Sequence, residues 1–292
     1  MKRILVSGLV NTETTCSVKD FPIPYQPIDY NFFGVHTSVS GVGFNVAKAL
    51  TALGNEVDIA TLLGSDPAGD IALRELDAAG INTSFVTRVL PETCSSVVLH
   101  SPDGRRRIYC DLKNIQDTAY DFSAVDLTAY DMVVACNINF SRPLLQKAKA
   151  LGLPVVTDVH ALSNPDDDYN RDFMQNADIL FLSHEHVPGA PEDFLKTLAR
   201  RYGCRVIVMG CGGNGAMMYL RENDTVCHQP AVPVEHIVNT VGAGDALFSA
   251  FVSLWCEGLS PTDCLTSAQR FAAAKITHNG GGTGFLSREE LN

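Results

Sequence analysis

Short apolar runs alternate with amphipathic stretches along the first third of the chain. The runs at residues 4–6 and 57–63 are rich in β-branched side chains, which is typical of buried parallel strands. Residues 45–53 and 69–79 instead have apolar side chains at helical spacing, and each stretch stops before a glycine. Strand, helix, strand, helix is the order that builds a parallel sheet with helices on its faces.

The rest of the chain continues this alternation. Further strands are expected at residues 132–135, 154–158, 179–182 and 205–209, and further helices near residues 141–151, 191–202, 242–257 and 262–277. We therefore expect residues 1–292 to form a single α/β domain, with ligands at the carboxyl ends of its strands.

Two segments do not fit the alternation. Residues 11–39 combine Pro22, Pro24 and Pro27 with several aromatic side chains, which favours edge strands or a flap. Residues 93–112 hold two β-rich runs around a Ser-Pro-Asp-Gly turn, which predicts a hairpin.

Charge and composition exclude several classes of protein. The chain has 22 Lys and Arg against 33 Asp and Glu, a net charge of -11 that argues against binding nucleic acid. A hydrophobic fraction of 46% with no run of membrane-spanning length predicts an ordinary globular protein without a membrane partner. The nine cysteines contain no C-x-x-C pair, so we expect reduced thiols and a cytoplasmic location.

The most informative motif is a glycine-rich turn at residues 239–248 that runs directly into an apolar helix. Its glycines allow backbone N–H groups, together with the positive end of the helix dipole, to face an anion such as a phosphate. Asp245 lies in the first turn of this helix. The residues alone leave two interpretations open: a carboxylate favoured by the dipole, or a base that accepts the proton of a substrate hydroxyl.

Two distant segments together resemble the signatures of the ribokinase (PfkB) family of carbohydrate and nucleoside kinases. Gly242-Ala243-Gly244-Asp245 is similar to the C-terminal signature, and residues 40–47, followed by Leu53-Gly54, are similar to the N-terminal one. The resemblance implies a ribokinase-like fold, a three-layer αβα sheet with a small β-rich lid formed by residues 11–39 and 93–112. It also implies that Asp245 is the catalytic base and that the amides of Gly242, Ala243 and Gly244 form an anion hole.

On the substrate side, the resemblance implies that five residues bind the acceptor: Asn11, Glu13, Gly41, Asn45 and Asn139. Glu13 stands where the family usually has Asp. The alternative to substrate binding is that Glu13 lies in a solvated turn. An amide such as Asn45 both donates and accepts, which suits sugar hydroxyls, although a helix-start role would also place Asn there.

Residues 210–215 fit the pattern G-x-G-x-x-G, but a dinucleotide fingerprint must open a helix. Residues 216–220 continue instead as a β-like run, which argues against a dehydrogenase. The resemblance implies that Gly210, Gly212 and Gly215 contact ATP, together with Ser183 and Asn279.

The expected magnesium motif, N-x-x-E, is altered in this chain. Ser183 replaces its Asn and His186 replaces its Glu, which leaves Glu185 as the candidate ligand of Mg²⁺. His184 and His186 are expected to be solvated rather than to bind a metal. The loop at residues 278–284 is similar to one that binds K⁺ in many family members.

The expected reaction is transfer of the γ-phosphoryl group of ATP to a hydroxymethyl group. Because the substrate-side motifs contain no Lys or Arg, a neutral sugar or nucleoside is expected. Residues 41–45, 135–139 and 212–215, together with Asn239, resemble the pseudouridine kinase branch, which makes a pseudouridine-like nucleoside the leading candidate and a ribose-like or ketose sugar the next. The charged run Arg105-Arg106-Arg107 is expected to be a solvated edge outside the site. Lids of this family often pair between subunits, which predicts a homodimer; the alternative function is a sugar- or nucleoside-binding regulatory protein.

Overall fold

Thirteen strands and eight helices make up the part of the chain that the computed structural model describes, residues 1–291. The strands are β1 (Arg3–Ser7), β2 (Asn11–Ser17), β3 (Val35–Ser40), β4 (Glu56–Gly64), β5 (Asn82–Leu90), β6 (Ser95–His100), β7 (Arg106–Asp111), β8 (Met132–Ala135), β9 (Val155–Ala161), β10 (Ile179–Ser183), β11 (Val206–Gly210), β12 (Ala216–Leu220) and β13 (Thr225–Gln229). The helices are α1 (Val42–Ala52), α2 (Pro67–Ala78), α3 (Arg142–Ala150), α4 (Arg171–Asn176), α5 (Pro191–Arg201), α6 (Ala243–Glu257), α7 (Pro261–Lys275) and α8 (Arg288–Leu291).

Nine of the strands form one mixed sheet, in the order β13-β12-β11-β10-β9-β8-β1-β4-β5. Neighbouring strands are parallel from β5 to β11, whereas β12 and β13 are antiparallel additions at one edge. The chain first extends the sheet on one side of β1, through β4 and β5, and then on the other side, from β8 onward. The crevice beside the carboxyl end of β1 is therefore the topological switch point at which α/β sheets bind ligands.

The sheet is covered by helices on both faces because its strands are apolar on both faces. In β1, Ile4 and Val6 point into the core under α1, α2, α6 and α7, and Leu5 points into the core under α3, α4 and α5. All three side chains are completely buried. The three-layer fold expected from the sequence is confirmed.

The two segments that broke the alternation form a separate four-stranded sheet, in the order β3-β2-β6-β7. Strands β6 and β7 form the expected hairpin, and β2 pairs with β6 in parallel. We call these four strands the second sheet.

Four elements were not expected from the sequence: β5, the edge strand β13 and the short helices α4 and α8. Strand β5 is an edge strand whose side chains are mostly half-buried, so it lacks the continuous apolar run of a central strand. In residues 1–291, no helix has both the length and the apolar character needed to cross a bilayer.

Candidate active site

Several elements place chemically active side chains around the switch point. Helices α1 and α6 begin there, and β8 and β9 end there, so that Cys136, Asp158 and Asp245 line one pocket with apolar neighbours such as Val42 and Phe248. The site therefore brings together residues more than 200 positions apart in the sequence.

The start of α6 presents free backbone donors next to a carboxylate. Gly242 has φ +79°, a left-handed conformation that L side chains rarely adopt, and it turns the chain into the helix. The N–H of Ala243 already donates to the Thr240 carbonyl oxygen at 3.2 Å. Within residues 1–291 no acceptor faces the N–H groups of Gly244 and Asp245, and a Cβ at Gly244 would meet no atom within 4 Å. The N–H of Gly242 likewise has no acceptor within residues 1–291, so the amides of Gly242, Gly244 and Asp245 are available to an anion whereas that of Ala243 is engaged; the anion hole itself stays a prediction.

Asp245 accepts a hydrogen bond from Asn45, which confirms that the two signature segments meet. Asn45 Nδ2 donates to Asp245 Oδ2 at 2.7 Å. Burial raises the pKa of the Asp245 carboxyl group, and the hydrogen bond from Asn45 partly opposes this shift. A base with a raised pKa accepts a proton more readily than an exposed aspartate does.

The residues predicted to bind substrate supply buried oxygen atoms that have no hydrogen-bond donor. Within residues 1–291, five buried side-chain N or O atoms have no partner, and three of them are Asn11 Oδ1, Glu13 Oε1 and Asn45 Oδ1. Buried polar atoms are normally paired, so these acceptors call for a ligand that donates. Asn11 and Glu13 lie two positions apart on the buried face of β2, and burial raises the pKa of the Glu13 carboxyl group.

Gly41 has the tight surroundings expected of a close approach between backbones. Its φ is +99°, and a Cβ there would lie 2.5 Å from the Leu9 carbonyl oxygen. Any side chain at this position would displace the turn that leads from the second sheet into α1.

The structure does not bring Asn139 together with the other predicted substrate residues through hydrogen bonds. Its Nδ2 donates to the Gln116 carbonyl oxygen at 2.9 Å, and its Oδ1 accepts from Arg142 Nε at 3.0 Å. Both ends of its amide are thus engaged within the protein, and the expected contact of Asn139 with substrate stays a prediction.

The residues predicted to bind ATP lie at the ends of neighbouring strands. Ser183 and Gly210 pair directly across β10 and β11, and Gly212 follows near the His184 ring. Gly215 differs from the rest, because a Cβ on it would lie 2.1 Å from the Gln229 carbonyl oxygen. Its φ of +90° closes the turn into β12, which explains the glycine there, and its contact with ATP stays a prediction.

Glu185, the candidate metal ligand, lies on the exposed loop after β10. Its backbone N–H donates to Ser183 Oγ at 3.2 Å, and its Oε1 is 3.9 Å from a guanidinium nitrogen of Arg106. In residues 1–291 no group of three or more His, Cys, Asp or Glu side chains is arranged to hold a metal ion. A Mg²⁺ ion at Glu185 would depend on phosphate oxygens and water for its other ligands.

Arg106 corrects the expectation that the arginine run stays outside the site. Arg105 does pair with Asp20 and Asp103 at the surface. Arg106, on β7, instead points toward Glu185, and its positive charge acts on the Glu13 carboxyl group. The pairing register of the second sheet determines where Arg106 lies, and a local sequence pattern does not reveal that register.

The loop after α7 closes the site from the other side. A Cβ on Gly281 would lie 2.7 Å from Asn45 Nδ2, and a Cβ on Gly242 would lie 2.4 Å from the Gly281 carbonyl oxygen. Asn279, predicted to contact ATP, accepts a hydrogen bond from Asn239 at 3.3 Å. Only residues without side chains can occupy these two contact points.

Two titratable side chains near Asp245, His160 and Lys275, were not expected from the sequence. His160 follows β9's Asp158 in a left-handed conformation, φ +56°, and its backbone N–H donates to Asp158 Oδ1 at 2.8 Å. Lys275, at the end of α7, is completely buried. Its position continues the buried face that Cys264, Ala268 and Phe271 mark at helical spacing, which is the signal that sequence inspection had available.

Comparison with known proteins agrees with this arrangement. Residues 1–288 match the model of the pfkB family of carbohydrate kinases. The chain is 24% identical to the ribokinase of Dictyostelium discoideum over 99% of both chains, and 28% identical to the acarbose 7(IV)-phosphotransferase of an Actinoplanes strain over 90% of this chain and 88% of that protein. It is also 27% identical to the fructosamine kinase of Bacillus subtilis over 80% of this chain and 82% of the relative.

Solved structures share the fold. A microbiome-derived acarbose kinase superposes with a TM-score of 0.89 at 23% identity, covering 99% of this chain and 97% of that one. The ribokinase of Arabidopsis thaliana, solved with ribose and ATP, superposes with a TM-score of 0.82 at 21% identity, covering 99% and 97%. With the family match over nearly the whole chain and Asp245 at the start of α6, the chain belongs to the PfkB family of carbohydrate kinases, phosphotransferases that act on sugar or nucleoside hydroxyl groups.

Proposed function

We propose that this kinase transfers the γ-phosphoryl group of ATP to a hydroxymethyl group of a small neutral sugar or nucleoside. The observation that carries the proposal is the start of α6, where the Asp245 carboxylate lies beside the free N–H groups of Gly244 and Asp245. A base and an anion-binding pair of donors at one helix end are the parts that phosphoryl transfer to a hydroxyl requires.

In the proposed mechanism, Asp245 Oδ accepts the proton of the attacking hydroxyl group. Asn45 Nδ2 fixes the orientation of the carboxylate through its 2.7 Å hydrogen bond. The Gly244 and Asp245 amides donate to oxygen atoms of the transferring phosphoryl group, on which negative charge is concentrated. The helix dipole of α6 acts in the same direction.

The acceptor substrate is held through its hydroxyl groups. Asn11 Oδ1, Glu13 Oε1 and Asn45 Oδ1 are buried acceptors without donors, and a polyhydroxylated ring supplies several donors at once. This set favours a sugar or the ribose part of a nucleoside over an aliphatic alcohol.

ATP with Mg²⁺ is proposed as the phosphoryl donor, on the strand ends that carry Ser183 and Gly210. Gly212 and Gly213 are exposed at this edge, and a Cβ on Gly213 would meet no atom within 4 Å, so the backbone is open to phosphate oxygens. Glu185 fits as one ligand of the ion, whose charge neutralises the phosphates when it is bound. The K⁺ site at the loop of residues 278–284 stays a prediction from the family resemblance.

The second sheet is proposed to act as a lid that excludes water during transfer. The contact between Arg106 and Glu185 connects it to the loop after β10. Exposed aromatic side chains of its 18–34 connection support a homodimer formed through this lid, and the nine free thiols support a cytoplasmic location.

For the identity of the substrate, the relatives support sugars rather than pseudouridine. The proteins compared above are named for ribose, fructosamine and acarbose. We therefore place neutral sugars first and retain pseudouridine as one candidate among the nucleosides.

The test is release of ADP from Mg-ATP with ribose, deoxyribose, fructose, a fructosamine, acarbose, inosine and pseudouridine as acceptors. We expect one acceptor to stimulate turnover strongly, with Asp245→Asn as the inactive background. The contrary outcome is an acceptor that binds in calorimetry while no acceptor raises turnover above that background. This result would overturn the kinase proposal in favour of a binding protein.

A further inference from the structure

Lys275 is a completely buried cation at the carboxyl end of α7. Its side chain has no exposed surface, and the hydrogen bond of its ammonium group is a long one, 3.5 Å from Nζ to the His278 carbonyl oxygen. An ammonium group has three donors, and burying one with so little hydrogen bonding costs free energy. Such a cost indicates that the charge has a further partner.

Two carboxylates of the site interact favourably with this charge. Within residues 1–291 no carboxylate forms an ion pair with Lys275 at 4 Å or less, so Asp245 on α6 and Glu13 on β2 act on it over a longer distance, and both oppose the loss of the Lys275 proton that burial favours. The other groups that act on these carboxylates are Asp158 and His160 at the end of β9 and Arg106 on β7, with the Cys136 thiol nearby. His278 neighbours Lys275 through its backbone carbonyl group.

The packing around α7 keeps the ammonium group in place. The loop that follows Lys275 is held by Gly281, whose backbone touches Asn45 and Gly242 so closely that neither glycine tolerates a Cβ. Helix α7 also packs along α6, which carries Asp245. Lys275 therefore cannot extend to solvent as surface lysines do.

We propose that Lys275 is a positioning residue for phosphoryl transfer, whose buried ammonium group keeps the carboxylates of Asp245 and Glu13 ionised inside the closed site. This inference rests on the proposed role of Asp245 as the base. Because Lys275 has no exposed surface, it acts through these carboxylates rather than on the substrate. A site that gathers Asp245, Glu13 and Asp158 and also receives ATP needs such a compensating cation.

The first experiment compares the pH dependence of kcat in wild type and Lys275→Met, which keeps the length of the side chain and removes its charge. We expect the acid limb of the variant to move up by about one pH unit, since an opposite charge nearby shifts a carboxyl pKa by roughly that much. The two profiles should converge above about pH 8, the value to which burial lowers the pKa of Lys275 itself. Lys196→Met, on the exposed face of α5, is the matched control and should leave the profile unchanged.

A second experiment needs no turnover. Lysine Cε resonances of the ligand-free protein, labelled with ¹³C-lysine, are titrated in wild type and in Asp245→Asn. Electrostatic coupling is reciprocal, so removing the carboxylate should lower the pKa of Lys275 further. The Lys275 signal is assigned by its loss in Lys275→Met or, where that variant does not fold, in Lys275→Arg.

The outcomes separate this inference from the proposed function. A uniform loss of activity with an unshifted profile, or a Lys275 pKa that is the same in Asp245→Asn, would overturn the role of Lys275 and leave the kinase proposal intact. Absence of turnover with every acceptor would overturn the kinase proposal, and the titration would still decide whether Lys275 and Asp245 interact.

Discussion

At the scale of single residues, the site gathers charges that destabilise the fold. The pKa values of Asp245 and Glu13 are raised by burial, and that of Lys275 is lowered to about 8. A carboxyl group with a raised pKa stabilises the fold below its unfolded pKa, and this stabilisation is lost as pH rises through the folded pKa. At neutral pH these carboxylates therefore reduce stability, as expected for groups kept for the proposed roles of base and substrate acceptor.

Replacing Asp245 by Asn should accordingly separate activity from stability. We expect kcat to fall by about 10²-fold to 10⁴-fold, the range for loss of a general base. The free energy of unfolding at pH 7 should rise, because the amide of Asn carries no charge that burial would destabilise. Steady-state kinetics and urea denaturation measure the two effects, and a variant that is less stable than wild type at pH 7 would contradict the electrostatic account.

Glu13→Gln tests the buried acceptors. The amide keeps one acceptor and loses the charge, so hydroxyl groups of the substrate are held less strongly. We expect KM for the acceptor to rise about tenfold, for a loss of about 1.4 kcal/mol, with a smaller change in kcat. The control is Glu75→Gln on the exposed face of α2, and equal kinetics for Glu13→Gln and wild type would remove Glu13 from the substrate site.

At the scale of elements, the crossing of β1 and α1 requires glycine on both sides. A Cβ on Gly43 would lie 2.5 Å from the backbone carbon of Gly8, and a Cβ on Gly8 would lie 2.8 Å from Gly43 Cα. The two backbones touch immediately beside Asn45, so the position of this amide depends on their contact.

Gly43→Ala should therefore reduce stability and activity together. We expect a loss of about 1–3 kcal/mol of unfolding free energy, as for other overpacked sites, and weaker substrate binding as α1 moves. Gly203→Ala is the matched control, because no atom lies within 4 Å of a Cβ there and its backbone has no positive φ. Equal stability of the two variants in urea denaturation would show that the crossing relaxes freely.

Most of the central strands and helices were predictable from the sequence. The contacts that residues from distant elements make across the site were not. Continuous apolar runs identified β1, β4 and β8 to β11, because strands buried on both faces carry no alternation. Strand β5 was missed since an edge strand mixes polar and apolar side chains. Asp245 and Asn45 were found through their motifs, whereas the contacts of Arg106, His160 and Lys275 depend on how distant elements pack.

At the scale of the whole molecule, the second sheet leaves apolar surface exposed. Its edge strand β7 is exposed at every position, and Tyr30, Phe32 and Phe33 are 78%, 81% and 95% exposed. Apolar side chains clustered in this way mark surfaces that pair with a partner, and a second copy of the chain fits the proposed lid-to-lid dimer.

The dimer can be tested by removing this surface. We expect light scattering after gel filtration to give about twice the 31.5 kDa chain mass for wild type and the chain mass for the double variant Phe32→Ser with Phe33→Ser. Val89→Ser, which removes an exposed side chain from the edge strand β5 of the main sheet, should remain dimeric. A monomeric wild type at micromolar concentration would contradict the proposal.

The division of the site between two sheets also links affinity to motion. Asn11 and Glu13 belong to β2 of the second sheet, whereas Asn45 and Asp245 begin helices that cover the main sheet. If the second sheet is the proposed lid, a substrate held by both pairs draws the sheets together, and part of its binding free energy is then spent on closure. Any substitution that preorganises the closed form would then tighten substrate binding and slow product release by the same coupling. A gain in substrate affinity would therefore come with a loss in the rate of product release.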